Sequence, residues 1–96
     1  MQPRPAMIQL EIAPGVRLSV HAAVQIPDRK IELGYVLEVL RKPEFVRDDW
    51  RHPGVKLAFG RIVQFGNRWM RVAYAEKSDG IVVVTAMWDR KAENWR

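Results

Sequence analysis

His21 and His52 are the two histidines of this chain, and histidine is the side-chain type best suited to proton transfer near neutral pH. Ser19 is suited to cap a helix beginning at Val20, which places His21 in the first helical turn, where it can act as a general acid or base. A lone histidine at a helix start is more often a structural group. His52 stands before Pro53-Gly54 and reads as a turn residue.

Arg61 and Arg71 are the second set. In the strand from Trp69 to Glu76, Met70, Val72 and Tyr74 point one way and Trp69, Arg71, Ala73 and Ala75 the other. A two-residue Gly66-Asn67 loop would set Ile62 opposite Arg71, whereas a three-residue loop Phe65-Gly66-Asn67, preferred because it sends Ile62 toward the core and spares Arg61 burial, sets Arg61 there. Val84, Ala86 and Trp88 share the Arg71 face in that register. Two arginines flanked by Trp69 and Trp88 suit phosphate contacts with base stacking on the indoles, and Lys56 and Arg68 add cations to the same segment. The plainer reading is a solvated sheet face whose arginines reach to carboxylates.

The elements that must carry these residues follow from periodicity. Met7 to Ile12 alternates as a strand and Pro14-Gly15 turns it. The first helix presents Val20, Val24 and Ala23 on one face, and Pro27 ends it near Gln25 or kinks it. Leu33, Val36, Leu37 and Leu40 make the apolar stripe of a second helix that Pro43 stops. Glu44 to Gly54 reads as a surface loop. Three strands follow, Lys56 to Phe65, Trp69 to Glu76 and Ile81 to Trp88, the last of them central. The fold class is therefore α+β: a short N-terminal strand and two helices packed on one face of an antiparallel sheet of three to four strands. Residues 1–96 read as one domain, with flexible termini at 1–6 and 90–96.

Charge narrows the partners. The first 40 residues and the last 24 are each balanced, and the whole excess of +5 lies in residues 41–72, where eight cations face three carboxylates. A local basic surface draws phosphate-bearing or acidic partners. There is no cysteine, and with two histidines neither a disulfide framework nor a metal cage is expected. No phosphate-cradling glycine loop, dinucleotide fingerprint or H-E-x-x-H helix is present, so no cofactor is expected. No apolar run approaches the roughly 20 residues of a membrane span, and a cytoplasmic chain without membrane contact is expected.

The same residues carry a resemblance. Ser19-Val20-His21-Ala22, Arg29-Lys30-Ile31, Val36 and Leu40 before Pro43, Arg71-Val72-Ala73-Tyr74 and Val83-Val84-Thr85 resemble the bacterial family called domain of unknown function 4258, over about residues 16–89. That family usually shows Ser-x-His-Ala opening a helix and an Arg-Gly-Ile turn before the second helix; Lys30 replaces the glycine here, and Pro27 is a second departure. The family in turn is similar to RelE- and BrnT-type toxins, compact metal-independent ribonucleases. The resemblance implies His21, Arg29, Arg61 and Arg71 as site residues, an RNA substrate and an acidic antitoxin-like protein as partner. From another class, the alternative is a non-catalytic module that binds an acidic protein or self-associates through its sheet.

Overall fold

Pro14 and Gly15 turn the chain between two short antiparallel strands, β1 (Leu10–Ala13) and β2 (Val16–Leu18). The computed structural model describes residues 9–96; Met7 and Ile8, expected in the first strand, and the terminus 1–6 lie outside the described residues. Helices α1 (Val20–Asp28) and α2 (Leu33–Arg41) follow, then strands β3 (Phe45–Asp48), β4 (Val55–Ile62), β5 (Arg68–Lys77) and β6 (Gly80–Trp88).

The strands form one six-stranded sheet in the order β1-β2-β6-β5-β4-β3. The α+β class holds, but the sheet is larger than the three to four strands expected and it is mixed, because β2 runs parallel to β6. Two short strands escaped the periodicity reading. β2 is three residues long, too short to show alternation. β3 lies within the segment read as a loop; its charged Arg47 and Asp48 hide a strand pinned by the stacking of Phe45 on Phe59, ring centroids 4.5 Å apart. The parallel joint is tight: Ile81 N–H donates to the Gly15 carbonyl at 2.8 Å, and Gly80 lies so close to that carbonyl that a Cβ would collide with it.

Beyond Leu18 the edge of β6 is taken over by α1. Ser19 N–H donates to the Val83 carbonyl at 3.0 Å, while the Ser19 hydroxyl caps the helix by accepting from Ala22 N–H at 3.0 Å. Because α1 rides this edge, it buries the narrow stripe of Ala22 and Ile26, and Val20 and Val24, expected inside, are 42% and 66% exposed. Pro27 neither ends nor displaces the helix. Near the last turn it removes a single N–H, and the helix closes beyond it: Lys30 N–H donates to the Pro27 carbonyl at 2.9 Å and Ile31 N–H to the Ile26 carbonyl at 3.0 Å. Lys30 takes the left-handed conformation of that motif, φ 58°, at the position where the resembling family usually has glycine.

Helix α2 is rotated from the expected stripe. Val36 and Val39 are fully buried, whereas Leu37 is half-buried and Leu33 exposed. Gly60 of β4 sets this rotation, since it leaves a slot that Val39 fills; a Cβ on Gly60 would stand 3.3 Å from Val39 Cγ2. The helix face of the sheet is thereby sealed by Leu18, Ile26, Val36, Ile62, Met70, Val72 and Val83. The opposite face has its own smaller core of Leu57, Phe59, Ala73 and Ala92, with Phe45, Trp69 and Trp95 around it. Ala92 and Trp95, in a 3₁₀ turn (Ala92–Trp95) within the segment 90–96, add apolar side chains to this cluster. No helix among the described residues is long and apolar enough to cross a membrane.

Candidate functional site

Two departures from ideal pairing decide which residues share the second face. Between β4 and β5 the chain makes a 3₁₀ turn (Val63–Phe65) and then two left-handed residues, Gly66 and Asn67, a longer connection than the three-residue loop expected. Ile62 still points to the core, but Arg61 lies opposite Trp69 and Arg71 opposite Phe59, so the two arginines are diagonal neighbours and not partners. In β6, Ala73 pairs with Thr85 while Tyr74 pairs with Val83, which leaves Val84 as an extra residue. Beyond this bulge the parity flips. Met87 and Thr85 share the Arg71 face with Val84, whereas Ala86 and Trp88, expected there, turn to the helix side.

The expected array of Arg61, Arg71, Trp69 and Trp88 is therefore dispersed. Trp88 packs on the helix side between Tyr35 and Phe65, with the Arg68 guanidinium 4.5 Å from its ring centroid. Trp69 lies on the other side, edge-on to Phe45 and under Arg61. Arg61 is engaged by Glu44 through two guanidinium nitrogens at 2.8 and 3.0 Å. Those bonds hold the Glu44 carboxyl below its ordinary range and raise Arg61. Lys56 reaches Glu76 at 3.4 Å on the far side of the sheet from this pair. The basic segment is thus divided among both faces and several ion pairs; it is not one continuous surface.

Three of the four residues implied by the resemblance do come together. His21 and Arg29, with Gln25 between them, line one side of a groove of about 300 Å³ whose floor includes Arg71, Ala73, Val84, Thr85 and Met87. The spacing explains the alignment: positions 21 and 25 are one helical turn apart on α1, and Arg29, its C-cap, follows one turn further on. Arg29 fastens that side to the sheet, one nitrogen donating to the Thr85 hydroxyl at 3.0 Å and to the Ala86 carbonyl at 2.8 Å, while Thr85 donates to Gln25 Oε1 at 2.7 Å. Arg71 is largely buried. One nitrogen is 3.6 Å from an Asp89 carboxylate oxygen, another donates toward the Met87 thioether, and the guanidinium stands 5.5 Å from the Trp95 ring centroid.

The opposite wall comes from the loop joining β3 to β4, a stretch whose sequence reads as a solvated surface turn. Asp49, Arg51 and His52 line the same groove. Asp49 is the one charged residue buried among those described, 8% exposed. One carboxylate oxygen accepts from Arg51 N–H at 3.0 Å, and the other lies 3.0 Å from His52 Nδ1. Burial alone would raise this carboxyl; the hydrogen bond from His52, the Arg51 amide and the charge of Arg51 outweigh it and hold Asp49 below its ordinary value. An available signal was the spacing, an aspartate three residues before a histidine in a turn, where an Asx-type bond from the carboxylate to the amide two residues on is common. Trp50, 77% exposed, stands beside this wall with Arg51 over its ring at 5.4 Å.

A family model described as Domain of unknown function (DUF4258) matches residues 18–88, which spans every element from the end of β2 to the end of β6. The chain belongs to that family. Neither a curated protein nor a solved structure matches the chain. Within this member of the domain of unknown function 4258 family, the matched stretch contains both walls of the groove and its floor. Arg61 falls in the matched stretch too but outside the groove.

Proposed function

We propose that the groove binds single-stranded RNA and cleaves it without a metal ion, in the manner of a RelE-like toxin acting in the cytoplasm and neutralised by an acidic protein partner. One observation carries the reading. Two imidazoles and three guanidiniums, drawn from α1, the β3–β4 loop and β5, face one groove that contains a single carboxylate. Arg29, Arg51 and Arg71 can neutralise a phosphodiester and the charge that develops on it. A histidine can exchange protons with the ribose 2′-hydroxyl or with the leaving oxygen. Trp50, between the groove residues Asp49 and Arg51 in the chain, offers an exposed indole for stacking an unpaired base.

The test is incubation of the purified protein with mixed single-stranded RNA in chelator. Cleavage to fragments with cyclic phosphate ends is expected, with binding that weakens by roughly 0.7 log units per log unit of salt for each phosphate neutralised. No cleavage and no salt-dependent binding would overturn it. A second reading has its own support. β1 is an edge strand with Leu10 54% exposed, next to an apolar cleft of Val16, Leu37, Leu40 and Ile81, as a protein-docking module that adds a strand or a second copy to its sheet would have.

A further inference from the structure

The two histidines of the groove are held differently. His21 stands exposed in the first turn of α1, on the wall of the groove. His52 is fixed by a buried carboxylate through Nδ1 at 3.0 Å, while its own side chain is 68% exposed. An ionised carboxylate can only accept, so Nδ1 carries the proton of that bond and the neutral ring presents Nε2 as a free acceptor. Asp49 is itself restrained, because its second oxygen is occupied by Arg51 N–H and its backbone N–H donates to the Val55 carbonyl at 2.9 Å.

We infer that His52, oriented by Asp49, is the proton acceptor of the groove and that His21 is the proton donor, an assignment that rests on the reading of the groove as an RNA-cleaving site. In the step, Nε2 of His52 takes the proton of the 2′-hydroxyl as the 2′-oxygen forms its bond to phosphorus. The bond from phosphorus to the 5′-oxygen breaks, and that oxygen receives the proton of the His21 imidazolium. The products are a 2′,3′-cyclic phosphate and a 5′-hydroxyl end. Asp49 is a positioning residue: it selects the tautomer and favours the imidazolium that forms. The charged groups around His52 are Asp49 and Arg51 from its own loop, Arg29 and His21 from α1 and Arg71 from β5.

The test is the pH dependence of kcat/KM on a single-stranded RNA oligonucleotide for the wild type, His52→Ala, His52→Gln and Asp49→Asn, together with the ¹⁵N spectrum of the imidazoles. Either His52 variant should lose about 10²- to 10⁴-fold in rate, together with the limb on which the rate rises with pH. Added imidazole should restore part of the loss in His52→Ala. Asp49→Asn should keep that limb but move it to lower pH and reduce kcat more than it changes KM. The neutral His52 ring should carry its proton on Nδ1 in the wild type and move toward Nε2 in Asp49→Asn. A wild type that cleaves RNA while both His52 variants match it in rate and pH profile overturns the assignment and leaves the groove reading standing. A wild-type His52 protonated on Nε2 does the same. A wild type that cleaves no RNA removes the groove reading, and this assignment with it.

Discussion

The two faces of the sheet are closed by different means. On the helix side every strand contributes branched or long apolar side chains to one continuous core, and both helices are fastened over it. On the other side an aromatic cluster, covered by the 3₁₀ turn Ala92–Trp95, occupies one end, and polar groups from three parts of the chain stand around a groove at the other. A face sealed by helices can only be stabilised or destabilised. A face left half open can hold arginines whose donors are not all committed, and that is where chemistry has room.

Substitutions separate the two. Ile26→Ala, in the sealed core, should lower stability by about 2–5 kcal/mol through lost burial and a residual cavity, read as a shift in denaturation midpoint. Leu37→Ala, half-buried beside the edge cleft, should cost less; equal losses would mean that α2 is seated the other way round. On the open face, Arg71→Ala should reduce RNA cleavage by about 10²- to 10³-fold, as removal of one transition-state donor does elsewhere. It also removes the cation beside Asp89, so Arg71→Lys, which keeps the charge without the planar fork, is the variant to assay if the alanine variant unfolds. Arg61→Ala should leave cleavage within about twofold of the wild type if donors outside the groove contribute nothing comparable. Equal losses at Arg61 and Arg71 would erase the distinction between the engaged arginine and the one in the groove.

Acid should weaken the open face by a defined route. The folded-state values of Asp49 and Glu44 are both lowered. The stability they contribute is therefore complete above their unfolded values and is lost as pH falls through the folded ones. Asp49→Asn and Glu44→Gln should each flatten the acid limb of stability against pH, measured by denaturant midpoint. An unchanged limb in both would mean that the acid sensitivity lies elsewhere. The smallest expected effect is on the turn that ends α1. Lys30→Gly removes a left-handed strain of roughly 1–2 kcal/mol, partly offset by the greater freedom of glycine in the unfolded chain, and should stabilise by up to about 1 kcal/mol. A destabilised variant would mean that Lys30 makes contacts outweighing its strain.

The sequence was most legible where a pattern repeats. Alternation in β5 correctly assigned Met70 and Val72 to the helices and Arg71 to the other side, and Ser19 capped its helix as its type suggests. Legibility failed where one residue changes the count. The extra Val84 in β6 moves Trp88 and Met87 to opposite faces from those that uninterrupted alternation gives, and nothing in Ile81-Val82-Val83-Val84 marks which residue bulges. Val39 took the place of Leu37 inside because of a glycine on another element, a contact that helical periodicity cannot contain. Asp49 and His52 were hidden by their surroundings: in a charged, proline- and glycine-punctuated stretch, a buried carboxylate has the same spelling as a solvated one.

The parallel pairing of β2 with β6 has a consequence for how the groove comes into being during synthesis. Ser19, at the head of α1, is joined to Val84 across 65 positions of chain, and Arg29 reaches Thr85 across 56. A nascent chain that has emerged only as far as β5 already possesses both histidines and every arginine of the groove, yet α1 has no strand edge to lie along. Loop closure over such a span is slow compared with forming the β4–β5 hairpin. Seating α1 therefore requires β6, and a chain interrupted before Gly80 carries both histidines and every arginine of the groove without the strand that α1 lies along.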